Sequence, residues 1–291
     1  IETGDLRALS TTTLRGLGTD QVNAFTSDQM AALTTAQAAA ISTLQISNLS
    51  STTLNALSSS QFAALTTQQL GALTTSQVST LETADLVALG TVGLRALNSG
   101  QVAAMTSTEL AALSSVQVGS LTSTQVSGLN SVQIDAFETG DLRAMSTATL
   151  RSLSTDQANA LTTDQIVALN SVQIGALSTS QVQALTTDQI VAIDTADIRA
   201  MGTGQIAALT TDQAAALTTS QVAAMTTAEV RALSTDDVKA LTTDQVVALD
   251  SNQVGALSTA QVRAFTTSQI AAIDTADIRA MGTAQIAALS T

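Results

Sequence analysis

The sequence predicts an all-α solenoid: a continuous superhelix of short kinked helices, one for every eight residues. Three observations carry that expectation. An apolar residue recurs at every eighth position, from Ile1, Leu9, Leu17 and Phe25 to Met281 and Leu289, thirty-seven times with no insertion. The residue after it is Ser, Thr, Asp, Asn or Gly in 34 of 37 cases, the exceptions being Glu2, Glu82 and Glu138; this is the set that caps helix N-termini. Three residues further on stands Gln in 24 of 36 octads and Asp or Glu in 8 more, the partner that closes a capping box. Eight residues are too few to bury a core alone, so each unit is stable only when stacked on its neighbours.

The positions are numbered 1 to 8 from the recurrent apolar residue, so that octad 1 is residues 1–8 and octad 36 is residues 281–288. Position 2 is the N-cap and position 5 the third helical residue. Positions 1 and 6 are then the two halves of a hydrophobic staple. Leu185, Thr186, Gln189 and Ile190 show the full set. One helix is expected from position 3 to about the next position 1. Position 8 is Ala in 30 of 36 octads, and Gly16, Asn48, Thr80, Ser120, Gly128 and Ser152 elsewhere, which suggests close approach between segments. Position 3 is Ser or Thr in all 37 units. A hydroxyl differs from a carboxylate in that it donates, so it is expected to bond back to a carbonyl at position 7 or 8 of the preceding octad and bend the chain there. Positions 1, 6 and 8 are the expected core.

Two other architectures compete. A single straight helix turns about 100° per residue, so its apolar stripe drifts by about 80° per octad and faces nothing. A β-solenoid is the stronger alternative, because short Thr- and Val-rich repeats stack as strands. Against it, period-2 alternation breaks at every octad boundary, and Ala, Gln and Leu favour helix.

A second period lies above the octad. The variant [Glu/Asp]-Thr-x-Asp-[Leu/Ile] opens at Glu2, Glu82, Glu138, Asp194 and Asp274, in octads 1, 11, 18, 25 and 35. Spacings of 10, 7, 7 and 10 octads fit one turn of about 3.4 octads, or about 27 residues, read as a helical period. Stacked at a helix-packing distance of about 8–10 Å, such turns give a rod on the order of 100 Å. Duplication is the competing account of the spacings, since residues 161–208 resemble 241–288, and 1–29 resemble 137–165. Because the register never breaks, residues 1–291 read as a single uninterrupted array, an excerpt of a longer repeat region.

Composition narrows the chemistry. Hydrophobic residues make up 45% of the chain, enough for a core, yet the only aromatics are Phe25, Phe62, Phe137 and Phe265. A net charge of −13 argues against nucleic acid, which is bound by basic patches. No apolar run approaches the length of a membrane span. There is no His, Cys, Tyr or Trp, and Lys239 is the single Lys. Ser–His and Cys–His pairs cannot be built, zinc and haem sites lack their usual ligands, and no phosphate-binding loop occurs. Neither catalysis nor a cofactor is expected.

The acid pairs Glu2/Asp5, Glu82/Asp85, Glu138/Asp141, Asp194/Asp197 and Asp274/Asp277 are weak candidates for divalent cations, Ca²⁺ in particular, since carboxylates three apart share a helix face. The alternative is that they are N-cap and N3 acids stabilised by the helix N-terminus. Arg7, Arg15, Arg95, Arg143, Arg151, Arg199, Arg231, Arg263 and Arg279 all occupy position 7. They are expected to make weak ion pairs on a solvated face, or to meet an acidic face of another copy. Regular Thr arrays also resemble the composition of ice-binding solenoids.

Runs such as Leu185-Thr-Thr-Asp-Gln-Ile-Val-Ala and Leu257-Ser-Thr-Ala-Gln-Val-Arg-Ala resemble tandem octapeptide tracts of very large secreted or surface, filament- or adhesin-like bacterial proteins, and the resemblance covers the whole chain. It implies an extracellular or cell-surface rod, filament or stalk segment that pairs with copies of itself, end-to-end or laterally. The alternative is a binding module, adhesin-type or ice-binding, that uses a repeated Thr or acidic face.

Overall fold

The computed structural model describes residues 2–289; Ile1, Ser290 and Thr291, the outermost members of the position-1, -2 and -3 columns, lie outside them. Among the described residues there are 36 short helices, one per octad, and no strand. The chain is an all-α repeat solenoid, and the β-solenoid alternative falls.

The local cause is the corner between octads. Leu185 (φ −61°, ψ 144°) and Thr186 (φ −71°, ψ 162°) are two successive extended residues. No helix passes through them, so the helix Thr179–Ala184 ends and Thr187–Ala192 begins in a new direction. The helices therefore stop at position 8 or earlier, as in Thr147–Arg151 and Thr195–Ile198, rather than reaching the next position 1. Position 1 contributes only its N–H, which returns to the position-6 carbonyl, as from Leu185 to Val182 at 3.2 Å.

The chain divides into two compact units, Ile1–Ser152 and Leu153–Thr291. In the first, each helix packs on the helix three octads away, for example Ser115–Ser120 on Thr139–Ala144. In the second the same rule places Ser251–Ala256 on Thr275–Ala280. Hydrogen bonds between stacked turns join residues 25 to 31 apart, from Arg15–Ala40 and Gln37–Leu6 in the first unit to Asn159–Ala184 and Gln221–Ile190 in the second. That range falls between three octads (24 residues) and four (32), where a turn of about 27 residues belongs.

The core differs from the expected one in one column. Positions 1 and 6 are buried, as at Leu97, Val102 and Phe62. The third buried column is position 5, with Gln101 only 1% exposed, while position 8 lies half-buried at the rim, as at Ala32, Ala96 and Ala192.

The hydroxyls of position 3 do not carry the corner as expected. Thr35, Thr43, Thr67 and Thr75 stand exposed in the first turn of their helices. Ser59, Ser171 and Ser251 donate forward instead, to carboxylates 26 residues on.

Octad 12 departs from the pattern. Leu89 stays helical (φ −59°, ψ −24°) and Gly90 adopts φ 61°, the only left-handed residue among those described. Its position 5 is Gly93, which closes no capping box, and glycine at position 2 accepts the dihedral that replaces it.

Candidate functional site

The recurrent polar site is the corner, and its centre is the position-5 glutamine. In the first unit Gln69 Oε1 accepts the Thr66 N–H at 2.7 Å, and the Gln69 N–H donates to Thr66 Oγ1 at 3.3 Å. Gln69 Nε2 donates to the carbonyls of Ala38 (2.9 Å) and Ile41 (2.7 Å), 31 and 28 residues earlier. In the second unit Gln221 does the same: Thr218 N–H to Oε1 at 2.8 Å, Nε2 to Ile190 and Ile193 at 2.8 Å each. One side chain thus completes its own N-cap, satisfies the position-1 carbonyl left open at a corner of the turn below, and shares the position-6 carbonyl there with a main-chain N–H. Only a primary amide offers an acceptor and two donors at this length. Capping boxes accept Glu as readily as Gln, yet position 5 holds Glu only twice, at Glu109 and Glu229. That skew toward the amide is the sequence signal for the second role.

The acid pairs are split by the same corner. Asp85, Asp141, Asp197 and Asp277 are buried at position 5, whereas Glu82, Glu138, Asp194 and Asp274 are exposed N-caps. Glu138 N–H donates to Asp141 Oδ2 at 2.9 Å, and Asp277 N–H to Asp274 Oδ1 at 2.9 Å. Ser59 Oγ donates to Asp85, Ser171 to Asp197 and Ser251 to Asp277, at 2.7, 2.5 and 2.7 Å. Burial, its largest cause, pushes the Asp85 carboxyl above the ordinary value of 3.8; the Glu82 charge pushes the same way and the Ser59 bond opposes them. Glu2 and Asp5 are both exposed. Among the described residues no three acidic, His or Cys side chains group where they would hold a metal ion. Glu109, Glu229 and Asp237 are further buried position-5 acids, each accepting its N-cap N–H.

Position 7 carries a second stitch. Arg15 Nε donates to the Ala40 carbonyl (3.3 Å) and Arg95 Nη1 to Ser120 (3.4 Å). Asn55 and Asn159 reach the same place, at Thr80 (2.5 Å) and Ala184 (2.8 Å). These bonds go to main-chain carbonyls 25 residues ahead rather than to the expected carboxylates. Arg7, Arg143, Arg151, Arg199, Arg231, Arg263, Arg279 and Lys239 are exposed. Of the buried side-chain polar atoms described, Asn55 Oδ1 alone lacks a partner. The outer surface consists mainly of positions 2, 3, 4 and 7, including Val92, Val116, Val132 and Val172 at position 4. Shallow grooves run between stacked helices, one lined by Arg15, Ile41, Thr43, Thr66 and Gln69, another by Thr83, Ser107, Ala111 and Ala136. No helix among the described residues is long and apolar enough to cross a membrane.

A family model described as the ALTTAQ repeat matches residues 1–35, 38–75, 78–115, 134–171, 166–192, 190–227, 222–251, 246–274 and 270–291. No curated protein matches the chain.

Proposed function

The chain belongs to the ALTTAQ repeat family, and from that premise we propose that it is a non-catalytic structural segment: a rod, filament or stalk element of an extracellular or cell-surface protein of bacteria. The observation that supports this reading is how the octad spends its residues. Positions 1, 5 and 6 are buried, position 2 caps, and position 7 in part stitches to the turn above. What remains outward is a repeated surface of hydroxyl, small and charged side chains with scattered valines, rather than a gathered reactive cluster. Such a surface suits association with further copies of the chain, end-to-end or laterally. With ten basic and 23 acidic residues, lateral contacts between Arg-bearing and acidic faces weaken as salt rises.

Electron microscopy of the purified protein at low and high salt tests the reading. Extended particles that bundle at low salt are expected. Compact single particles at every salt concentration would refute it. Protease treatment of intact producing cells tests the location, since a surface segment is cleaved or shed without lysis.

The outward position-3 threonines, such as Thr35, Thr43, Thr67 and Thr75, favour a second reading, a binding face that orders water or a polymer. Thermal hysteresis of a solution of the protein separates that reading from a plain rod. Divalent cations are the remaining partner to test, by calorimetric titration with Ca²⁺.

A further inference from the structure

The glutamine bonds are blind to sequence. Nε2 donates to main-chain carbonyls at position 6 and at position 1 of the next octad in an earlier turn, as at Gln69 and Gln221, or to the position-7 carbonyl between them, as at Gln117 and Gln133, and every octad presents such carbonyls. A turn that closes on the wrong octad, with one unit looped out, satisfies them equally well, and the entropic cost of a slightly longer loop is small. Something else has to choose the register.

Four places in the chain are built differently. The only glycines at position 7 are Gly71, Gly119, Gly175 and Gly255. A Cβ on three of them would crowd the carbonyl oxygen 25 residues ahead, that of Ala144 at 2.7 Å, Ala200 at 2.7 Å and Ala280 at 3.0 Å, whereas at Gly71 it would make ordinary contact with Ala96 at 3.5 Å. The octads that press on these glycines are 12, 18, 25 and 35, and none has Gln at position 5; it is Gly93, Asp141, Asp197 and Asp277. None of these residues carries the side-chain amide donor of Gln, and glycine beneath leaves room for the close backbone approach. Two of these seams add a bond of their own, Ser171 to Asp197 and Ser251 to Asp277. A related seam, with Ala63 in place of Gly, carries Ser59 to Asp85.

We propose that these seams are register pins: as the chain folds, they select which octad seats on which. The choice is written in side chains that fit at one offset only. Shifted by one octad, Asp197 would meet Thr163 and Val167, or Thr179 and Gln183, in place of Ser171 and Gly175. Asp277 would meet Thr243 and Val247, or Thr259 and Arg263, in place of Ser251 and Gly255. Each shift puts a side chain where a Cβ alone already lies 2.7 or 3.0 Å from backbone oxygen, and surrounds a buried carboxylate with bulkier neighbours. A buried polar group that fixes register at some expense of stability is the best attested use of such groups.

The test uses the full chain, which has no Cys of its own. Spin labels at Val172→Cys and Ala196→Cys, both exposed at position 4, report how octads 22 and 25 sit after refolding from denaturant. The parent chain gives one narrow distance. The unpinned chain (Ser171→Thr, Gly175→Ala, Asp197→Gln) keeps its helical circular dichroism and gives several distances. A relocated pin (Thr163→Ser and Val167→Gly, with Ser171→Thr and Gly175→Ala, and Asp197 kept) moves the main population to a new distance. The parent's single distance in both helical variants would overturn the proposal. So would loss of helical signal in the unpinned chain, since the seam would then supply stability rather than selection.

Discussion

Gln221→Glu isolates one of the two jobs of the position-5 side chain. The substitution is nearly isosteric. Glu keeps an oxygen for the Thr218 N–H, which Gln221 Oε1 now accepts at 2.8 Å. It loses the Nε2 donor that reaches the carbonyls of Ile190 and Ile193, each at 2.8 Å. The Ile190 carbonyl retains the Ile193 N–H at 3.2 Å, whereas the Ile193 carbonyl at the corner depends on Gln221. Leaving a buried acceptor unsatisfied costs about 1–3 kcal/mol. One full and one partial loss, with a carboxylate oxygen facing both, come to about 2–4 kcal/mol, or roughly 30- to 700-fold in local opening at 1.4 kcal/mol per decade. A repeat array opens locally, so hydrogen exchange resolved by peptide is the assay. Faster exchange is expected over Thr219–Ala224 and the turn beneath it, with distant octads unchanged. Acidification shrinks the effect, because a protonated carboxyl regains one donor. Thr218→Ala is the comparison, expected to cost about 1 kcal/mol as a lost N-cap. An effect no larger than that of Thr218→Ala, or one spread evenly over the chain, would refute the claim that the amide joins the turns.

Three further outcomes follow from neighbouring geometry. Glu229→Gln supplies a donor for the carbonyls of Ile198 and Met201, 31 and 28 residues earlier, and should slow exchange in octad 29 by about 1–3 kcal/mol of added stability; faster exchange would contradict it. Gly119→Ala drives a Cβ to 2.7 Å from the Ala144 carbonyl and should cost about 1–3 kcal/mol by overpacking, whereas Gly4→Ala, with nothing within 4 Å, should be neutral or stabilising; equal effects at the two sites in a melting series would undo the close-approach reading. The Asp85 carboxyl is raised on folding, and a raised carboxyl gives stability that is present below its unfolded value and lost as pH rises through its folded one. Protection of octad 11 should therefore weaken as pH climbs through and above the ordinary carboxylate value, and Asp85→Asn should flatten that dependence; identical pH profiles in the two proteins would count against it.

How much of this was legible follows from how local each cause is. The N-cap at Thr186, the closing Gln189 and the staple of Leu185 with Ile190 all act within six residues, so pattern alone locates the corners. Bonds between stacked turns span 25 to 31 residues, a range that contains the period of about 27 residues fitted to the spacing of the acid variants. The partner of Nε2 lies 28 to 31 residues away on main-chain carbonyls, and a carbonyl leaves no mark in sequence; only the preference for Gln over Glu betrayed it. The role given to position 3 failed for the same reason. A hydroxyl column says that a donor is present and nothing about which acceptor is nearer, and at the corner the amide arrives from the adjacent turn instead. The expectation for Arg15 and Arg95 was misdirected likewise, since both have main-chain oxygens in reach.

The division between a sequence-blind stitch and a fixed-length corner makes one more outcome follow. Insert a single Ala between Ala224 and Met225, at the boundary of octads 28 and 29. About 100° of added rotation turns Met225 and Val230, which are 4% and 0% exposed, out of the core. At about 1.5–3 kcal/mol for each buried apolar side chain, the loss is about 3–6 kcal/mol before any glutamine bond is counted. Insert instead a whole octad, Leu-Thr-Thr-Ala-Gln-Val-Ala-Ala, at the same point. Its Gln finds carbonyls as any other does, its corner caps itself, and the seams formed by Gly175 with Ala200 and by Gly255 with Ala280 stay matched, because each lies wholly on one side of the insertion. Eight added residues should therefore disturb exchange protection less than one. Comparable damage from the two insertions would mean that octads recognise particular partners everywhere along the chain, and that the stitch is not blind.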